Sequence, residues 1–203
     1  SLNQLHLESN QIVSVPANIG NLNNLHSLFL TDNQISSLPT SIGELVNLVN
    51  LYLDNNQITS LPSSISNLIN LEYIYLNNNL LEELPEDIGN FSNLYGLYVS
   101  NNELQSVPLE ISELDELHQL DLDNNNLTSL FESIGALNNL SRIKLNNNQL
   151  TALPSDICDA LVIYGSVTVD QNFLCQEYQF SCINVVHWGQ QDQTNCCDIV
   201  NEN

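Results

Sequence analysis

From Leu2 to residue 162 the apolar residues fall on a 23-residue grid that is repeated seven times without insertion or deletion. Copies begin at Leu2, Leu25, Leu48, Leu71, Leu94, Leu117 and Leu140. In the third copy, LVNLYLDNNQITSLPSSISNLIN, the apolar positions are Leu48, Leu51, Leu53, Ile58, Leu61, Ile65 and Leu68, with Asn56 at place 9 and Pro62 at place 15. Places 3 to 7 alternate polar and apolar, as in Ser27-Leu28-Phe29-Leu30-Thr31. A period of two predicts a short strand with one buried face, and equal registers in successive copies predict a parallel sheet with strands roughly 4.8 Å apart.

Place 9 is Asn in every copy: Asn10, Asn33, Asn56, Asn79, Asn102, Asn125 and Asn148. A carboxamide both donates and accepts, so a stacked column of them satisfies turn backbone groups that strand pairing leaves free. The return path reads P-x-x-I-x-x-L and uses all six prolines, Pro16, Pro39, Pro62, Pro85, Pro108 and Pro154. Proline suits the start of a short helical or extended turn on a side that has no sheet ladder. The sixth copy carries Phe131 in place of Pro. It is expected to loosen that segment or to set an aromatic outside, with little effect on the sheet.

The L-x-x-L-x-L-x-x-N-x-L pattern resembles the leucine-rich repeat family over residues 2–162. The resemblance implies an α/β fold, a right-handed solenoid or horseshoe with a concave parallel β-sheet and an irregular or short-helical convex side. It also implies a non-enzymatic module that binds proteins. Residues 1–162 are expected to form the seven repeats and residues 163–203 a C-terminal cap. Within the cap, Val167-Thr-Val-Asp-Gln-Asn172-Phe-Leu174 repeats the strand and Asn turn with a shift of one residue, and Trp188 is expected to plug the open end of the core. The chain enters a repeat at once, so it is expected to be a mature or trimmed segment with upstream repeats or an N-terminal cap outside it.

Cysteines appear only from Cys158 onward, at Cys158, Cys175, Cys182, Cys196 and Cys197. Their clustering at one end suggests a disulfide-stapled cap, hence a secreted or cell-surface protein. Their spacing lacks the close ligand pairs of a structural zinc site. The string L-C…Y…C-I…G-x-Q-D-x-x-N-C resembles the C-terminal caps of secreted bacterial leucine-rich repeat proteins. That likeness implies a four-cysteine core of Cys158, Cys175, Cys182 and Cys196, with Cys197 left over; it does not select the pairing. An odd thiol leaves a disulfide-linked dimer open.

Charge narrows the partners. The net formal charge is −22, and Arg142 and Lys144 are the only strong bases. Nucleic-acid backbones and anionic membranes need clustered cations and are disfavoured. No apolar run approaches the roughly 20 residues of a membrane-spanning helix.

Side chains at places 3, 5, 7 and 8 point away from the leucines and are expected to line the concave face. Place 5 reads His6, Phe29, Tyr52, Tyr75, Tyr98, Asp121 and Lys144; place 3 contributes Tyr73 and Arg142, and Tyr95 borders them at place 2. An outward aromatic cluster marks an interaction surface, although aromatics on neighbouring strands also stabilise a sheet. Phe29, Tyr52, Tyr73, Tyr75, Tyr95 and Tyr98 are therefore the candidate binding residues, with Asp121, Asp123, Arg142 and Lys144 as a charged margin. A protein partner is the primary reading. A glycan stacked on the tyrosines and bonded to Asn50, Asp54 and Asn77 is the alternative, as are a structural or adhesin segment of a larger secreted protein and a face-to-face dimer.

No cofactor or metal is expected. Asp121-Leu-Asp123-Asn-Asn125 lacks the Gly and terminal Glu of a calcium loop. The four histidines have no ligand or nucleophile spacing, and an open sheet offers no water-excluded cleft for catalysis. Three N-x-S/T sequons, at Asn90, Asn126 and Asn139, matter only in a glycosylating host.

Overall fold

The computed structural model describes residues 2–178, 180, 182, 183 and 188–194, with only the backbone described at 162–164. Eight strands form one parallel sheet in sequence order: β1 (Gln4–His6), β2 (Ser27–Phe29), β3 (Asn50–Tyr52), β4 (Tyr73–Tyr75), β5 (Gly96–Tyr98), β6 (Gln119–Asp121), β7 (Leu140–Lys144) and β8 (Leu161–Thr168). From β1 to β7 the register advances by one repeat per strand, so Leu28 pairs with Leu51, Leu51 with Ile74 and Ile74 with Leu97, and a register shift follows between β7 and β8. These inward residues are almost fully buried, and with Leu53, Leu76 and Val99 they form a continuous apolar strip. At the N-terminal end the strip is open: Leu5, Leu7 and Ile12 are only partly buried.

The place-9 asparagines hold consecutive turns together. Asn79 Nδ2 donates to the Leu53 carbonyl of the preceding repeat at 3.0 Å and to its own Leu76 carbonyl at 3.1 Å, while Oδ1 accepts the Ile58 N–H at 3.0 Å. The same three bonds recur at Asn56, Asn102, Asn125 and Asn148, and at Asn172 in the shifted cap repeat. From Asn33 onward the column is buried, between 2% and 8% exposed. Asn10 is exposed and reaches only its own repeat, at the Leu7 and Glu8 carbonyls.

The bend itself lies one residue earlier. Ser9, Asp32, Asn55, Asn78, Asn101, Asn124, Asn147 and Gln171 all have φ between 54° and 57°. Place 8 is thus a left-handed corner and not part of the outward strand face, which corrects the expectation above. Asn and Asp tolerate this region better than most residues, in keeping with their dominance of the column.

On the opposite side five of the six prolines precede a five-residue 3-10 helix, as at Ala17–Asn21, Thr40–Glu44 and Ser63–Asn67, and Pro154 leads into turns. In the sixth repeat the helix shrinks to Ile134–Ala136, and the residue before it, Ser133, leaves the extended conformation that the prolines hold. Phe131 does not turn outward. It is half-buried against the core, and β6 and β7 keep their register.

At the C-terminal end, Leu174, Ile183 and Trp188 are buried in the core cluster. A disulfide joins Cys158, at the end of the seventh repeat, to Cys182, and Cys175 is also disulfide-bonded. Cys196 and Cys197 lie outside the described residues.

Replacing Asn79 with Ala strands the Ile58 N–H and two carbonyl groups in a buried place, so about 2–4 kcal/mol of stability should be lost. The exposed Asn10→Ala change should cost under about 1 kcal/mol. Urea denaturation with the disulfides intact checks this; equal shifts for the two variants would show that the column does not hold the repeats together.

Candidate functional site

Outward place-5 side chains on consecutive strands stand one above another, and five of them are rings. His6–Phe29, Phe29–Tyr52, Tyr52–Tyr75 and Tyr75–Tyr98 have centroids 4.2, 4.5, 4.7 and 4.6 Å apart, with planes within 9° of parallel. That separation is close to the strand spacing itself. The sheet register therefore sets the stack, and each ring covers the faces of its neighbours. The open side of the sheet receives ring edges and phenol hydroxyls. Phe29, Tyr52, Tyr75 and Tyr98 are half-buried for this reason, not fully exposed.

A second, shorter row runs beside the first. Tyr73 lies 6.3 Å from Tyr75 and 5.5 Å from Tyr95, and Tyr95 stacks on His118 at 4.3 Å. The six aromatic residues picked from sequence are thus brought together, and two histidines extend the rows. His6 stood in the place-5 column; His118 shares place 2 with Tyr95, which is the signal that could have identified it.

Gly96 makes the junction. Its absent side chain lets Tyr98 lean across the strand, so that a Cβ there would lie 2.8 Å from Tyr98 Cε2, 3.0 Å from its Oη and 3.1 Å from Tyr73 Cδ1. In that position Tyr98 Oη donates to Gln119 Oε1 at 2.8 Å.

Of the charged margin, one pair forms. Lys144 Nζ lies 2.6 Å from Asp121 Oδ2, with Asp121 largely buried and the lysine about one-third exposed. Arg142 is exposed and makes no ion pair or side-chain hydrogen bond among the described residues. Together with Tyr98, Gln119 and Asp121 these two cations line a small pocket of about 30 Å³ at the end of the stack.

Asp123 sits apart from the cations' pairing and has an internal task. Its Oδ1 accepts the Asn146 N–H at 2.7 Å and Nδ2–H at 2.9 Å. Asp54 accepts the Asn77 N–H at 2.8 Å, and Asn77 Oδ1 accepts the Ser100 N–H at 2.9 Å. At place 7, Asp54, Asn77, Asp123 and Asn146 thus each accept the next strand's orphan N–H. Burial raises the pKa of Asp54 and of Asp123, against the lowering effect of these bonds. Of the residues considered above as sugar ligands, Asp54 Oδ1 and Asn77 Oδ1 are engaged internally, and Asn50 Nδ2 donates to Ser27 Oγ.

Burial dominates the tyrosines as well. It pushes Tyr75 up to about 12, with Tyr98 and Tyr52 adding to the effect, and it raises Tyr73 and Tyr98. A phenol whose native pKa exceeds its unfolded value favours the folded state below the unfolded value and loses that contribution as pH rises. Stability should therefore fall between the usual phenol value of 10.0 and about 12, and phenolate absorbance should rise later in the native chain than in urea. Gly96→Ala should displace the Tyr98 ring and cost about 1–3 kcal/mol. Weakened near-ultraviolet circular dichroism would report the disturbed stack; an unchanged signal would show that the tyrosines do not need this glycine.

The family model described as "Leucine-rich repeat region" matches residues 1–77, and the one described as "Leucine Rich Repeat" matches residues 70–91 and 116–137. No curated protein matches in sequence. A leucine-rich repeat protein of Leptospira interrogans superimposes with a TM-score of 0.78 and 34% identity, over 85% of this chain and 44% of that one. An internalin of Listeria monocytogenes gives 0.62 and 25% identity, over 86% of this chain and 56% of that one. The leucine-rich repeat domain of a type III effector gives 0.66 and 24% identity, over 83% and 68%, a likeness of fold alone. This chain spans less than half the length of the Leptospira protein.

Proposed function

The chain belongs to the leucine-rich repeat family, and we propose that it acts as a non-enzymatic recognition module that binds a protein partner across the aromatic rows of its concave sheet face. Repeat proteins of this family and fold serve typically as protein-interaction modules, which supports the general class. The observation that carries the finer reading is the stack from His6 to Tyr98, which ends beside the unpaired Arg142. Half-buried tyrosines next to a free guanidinium have the composition of an interface hot spot. Phe29, Tyr52, Tyr73, Tyr75, Tyr95 and Tyr98 supply its centre, with Arg142 and the Lys144–Asp121 pair at its margin. Asp123 contributes by holding Asn146.

Ring orientation favours protein over sugar at this face. A pyranose ring stacks on an aromatic face, and here the faces are taken by neighbouring rings. Edges and hydroxyls remain for a partner's side chains and backbone. A second copy paired face to face would set two strongly acidic chains against each other, which disfavours that occupant. The disulfides fit a secreted or cell-surface setting. Among the described residues no helix is long and apolar enough to cross a membrane.

Tyr→Phe changes separate binding from sheet packing, because they remove hydroxyls and keep the stack. Tyr52→Phe/Tyr75→Phe/Arg142→Ala should retain the native denaturation midpoint and weaken capture of a surface-protein partner by about tenfold or more. Equal affinity in both proteins would reduce the rows to sheet packing and favour a spacer or adhesin role.

A further inference from the structure

A different surface has the features that the sheet face lacks for a carbohydrate. Beyond the Asn turns, where the chain climbs away from the strands of the last repeats, three shallow hollows adjoin one another. Phe173 is shared by the first and second, and Thr128 and Gln149 by the second and third. Their volumes are about 610, 460 and 510 Å³, within the range of small-molecule sites. The lining is carboxamide and hydroxyl chemistry. In a chain of net charge −22, its one charged residue is Asp192, whose carboxylate accepts the Thr194 N–H at 3.1 Å.

Phe173 gives this shelf its platform. At 37% exposure it is the most open Phe, Tyr or Trp among the described side chains, and no other ring stacks on it. It occupies the place after Asn172, and its backbone is held by the Leu150 carbonyl at 2.9 Å. One repeat away, Gln149 Nε2 donates to Asn126 Oδ1 at 3.2 Å. That bond aligns the two amides and leaves Gln149 Oε1 and Asn126 Nδ2 without hydrogen-bond partners among the described residues. The Thr128 and Thr151 hydroxyls likewise make no hydrogen bond there. On the sheet face, by contrast, Asp54, Asn77, Asp123 and Asn146 are all engaged internally.

We propose that this shelf binds a neutral oligosaccharide, with Phe173 stacking on the apolar face of one sugar ring and Asn126, Thr128, Gln149 and Thr151 bonding hydroxyls of the next. Each requirement has its counterpart. A sugar ring presents C–H groups on one face and needs an open aromatic surface. Its hydroxyls both donate and accept, as carboxamides and hydroxyls do. Adjacent repeats lie about one strand spacing apart, roughly 4.8 Å, near the rise of one unit in an extended glycan. Neutrality follows from the absence of a cation for an acidic sugar and of any carboxylate along the row from Asn126 to Thr151; the shelf's one carboxylate, Asp192, accepts the Thr194 N–H. The proposal is independent of the protein partner on the sheet face.

The test titrates the disulfide-intact chain with cellohexaose, laminarihexaose and mannohexaose, and with hexamers of galacturonic acid and chitosan as charged controls. Side-chain amide resonances of Gln149 and Asn126 report the site, and calorimetry gives the affinity. At least one neutral hexamer should shift these resonances with little salt dependence. Phe173→Ala should weaken it by about tenfold, Phe173→Trp should retain it, and Tyr52→Phe/Tyr75→Phe should leave it unchanged. Circular dichroism shows whether each variant is folded, and Thr128→Val probes the shelf without touching the platform. Failure of every neutral hexamer to bind, indifference of binding to both Phe173→Ala and Thr128→Val, or stronger binding of a charged control would each overturn the proposal.

Discussion

Each repeat depends on one side chain to close its turn against the repeat before it. A strand three residues long contributes few ladder bonds, and the backbone then swings into a left-handed corner where sheet pairing ends. Without the carboxamide at place 9, two carbonyls and one N–H would face an apolar strip with no water. The asparagine takes all three, and two of the bonds reach into the preceding repeat. Local turn geometry and repeat-to-repeat cohesion are therefore one interaction. It also explains why the spacing holds: an inserted residue between strand and turn would move the amide off its partners. The cap obeys the same rule, since its strand takes a register shift between Leu140 and Arg142 and Asn172 still meets Leu145 and Leu150.

Once the spacing is constant, the outward face becomes a set of columns at strand separation. That separation is near the contact distance of flat rings, so aromatics at the same place on neighbouring strands become a stack without further design. The same geometry lets place-7 oxygens reach the next strand's N–H. The face is consequently more rigid and more self-satisfied than a list of outward residues suggests. What it offers a partner is a ridge of edges and hydroxyls, not a set of open ring faces.

This limit bears on how much was legible from residue order. The sheet, its register, the asparagine column and the place-5 row all follow from a period of 23 and an alternation of two, because both are properties of spacing. Side-chain direction within a row is not. The lean of Tyr98 over Gly96, the engagement of Asp123 by Asn146 in place of a cation, and the inward turn of Phe131 depend on neighbours one repeat away and on the space each leaves. The left-handed corner is readable in principle, since Asn and Asp fill six of the seven place-8 positions from Asp32 to Gln171. Place 9, Asn in every copy, masks it by offering a turn residue of its own. The shelf around Phe173 is hidden in the sequence for a different reason: its lining comes from five segments, and only stacking the repeats makes them neighbours.

Charge then decides the manner of recognition. A chain this acidic repels most anionic protein surfaces at long range, and salt confines that repulsion to about 8–10 Å. Lys144 is committed to Asp121, so Arg142 alone presents a positive head on the sheet face. Electrostatic steering toward an acidic partner is therefore weak, and a basic partner would be drawn to the whole molecule with no preference for the tyrosines. Specificity at this face has to come from contacts made after encounter: hydroxyl edges, the guanidinium and the fit over a rigid stack. Such contacts act on the lifetime of a complex more than on its rate of formation. At the shelf, where Asp192 is the one charged residue, the long-range field is nearly irrelevant, because a neutral glycan does not respond to it. The two surfaces thus differ in the property that would let one acidic solenoid hold two kinds of ligand without competition between them.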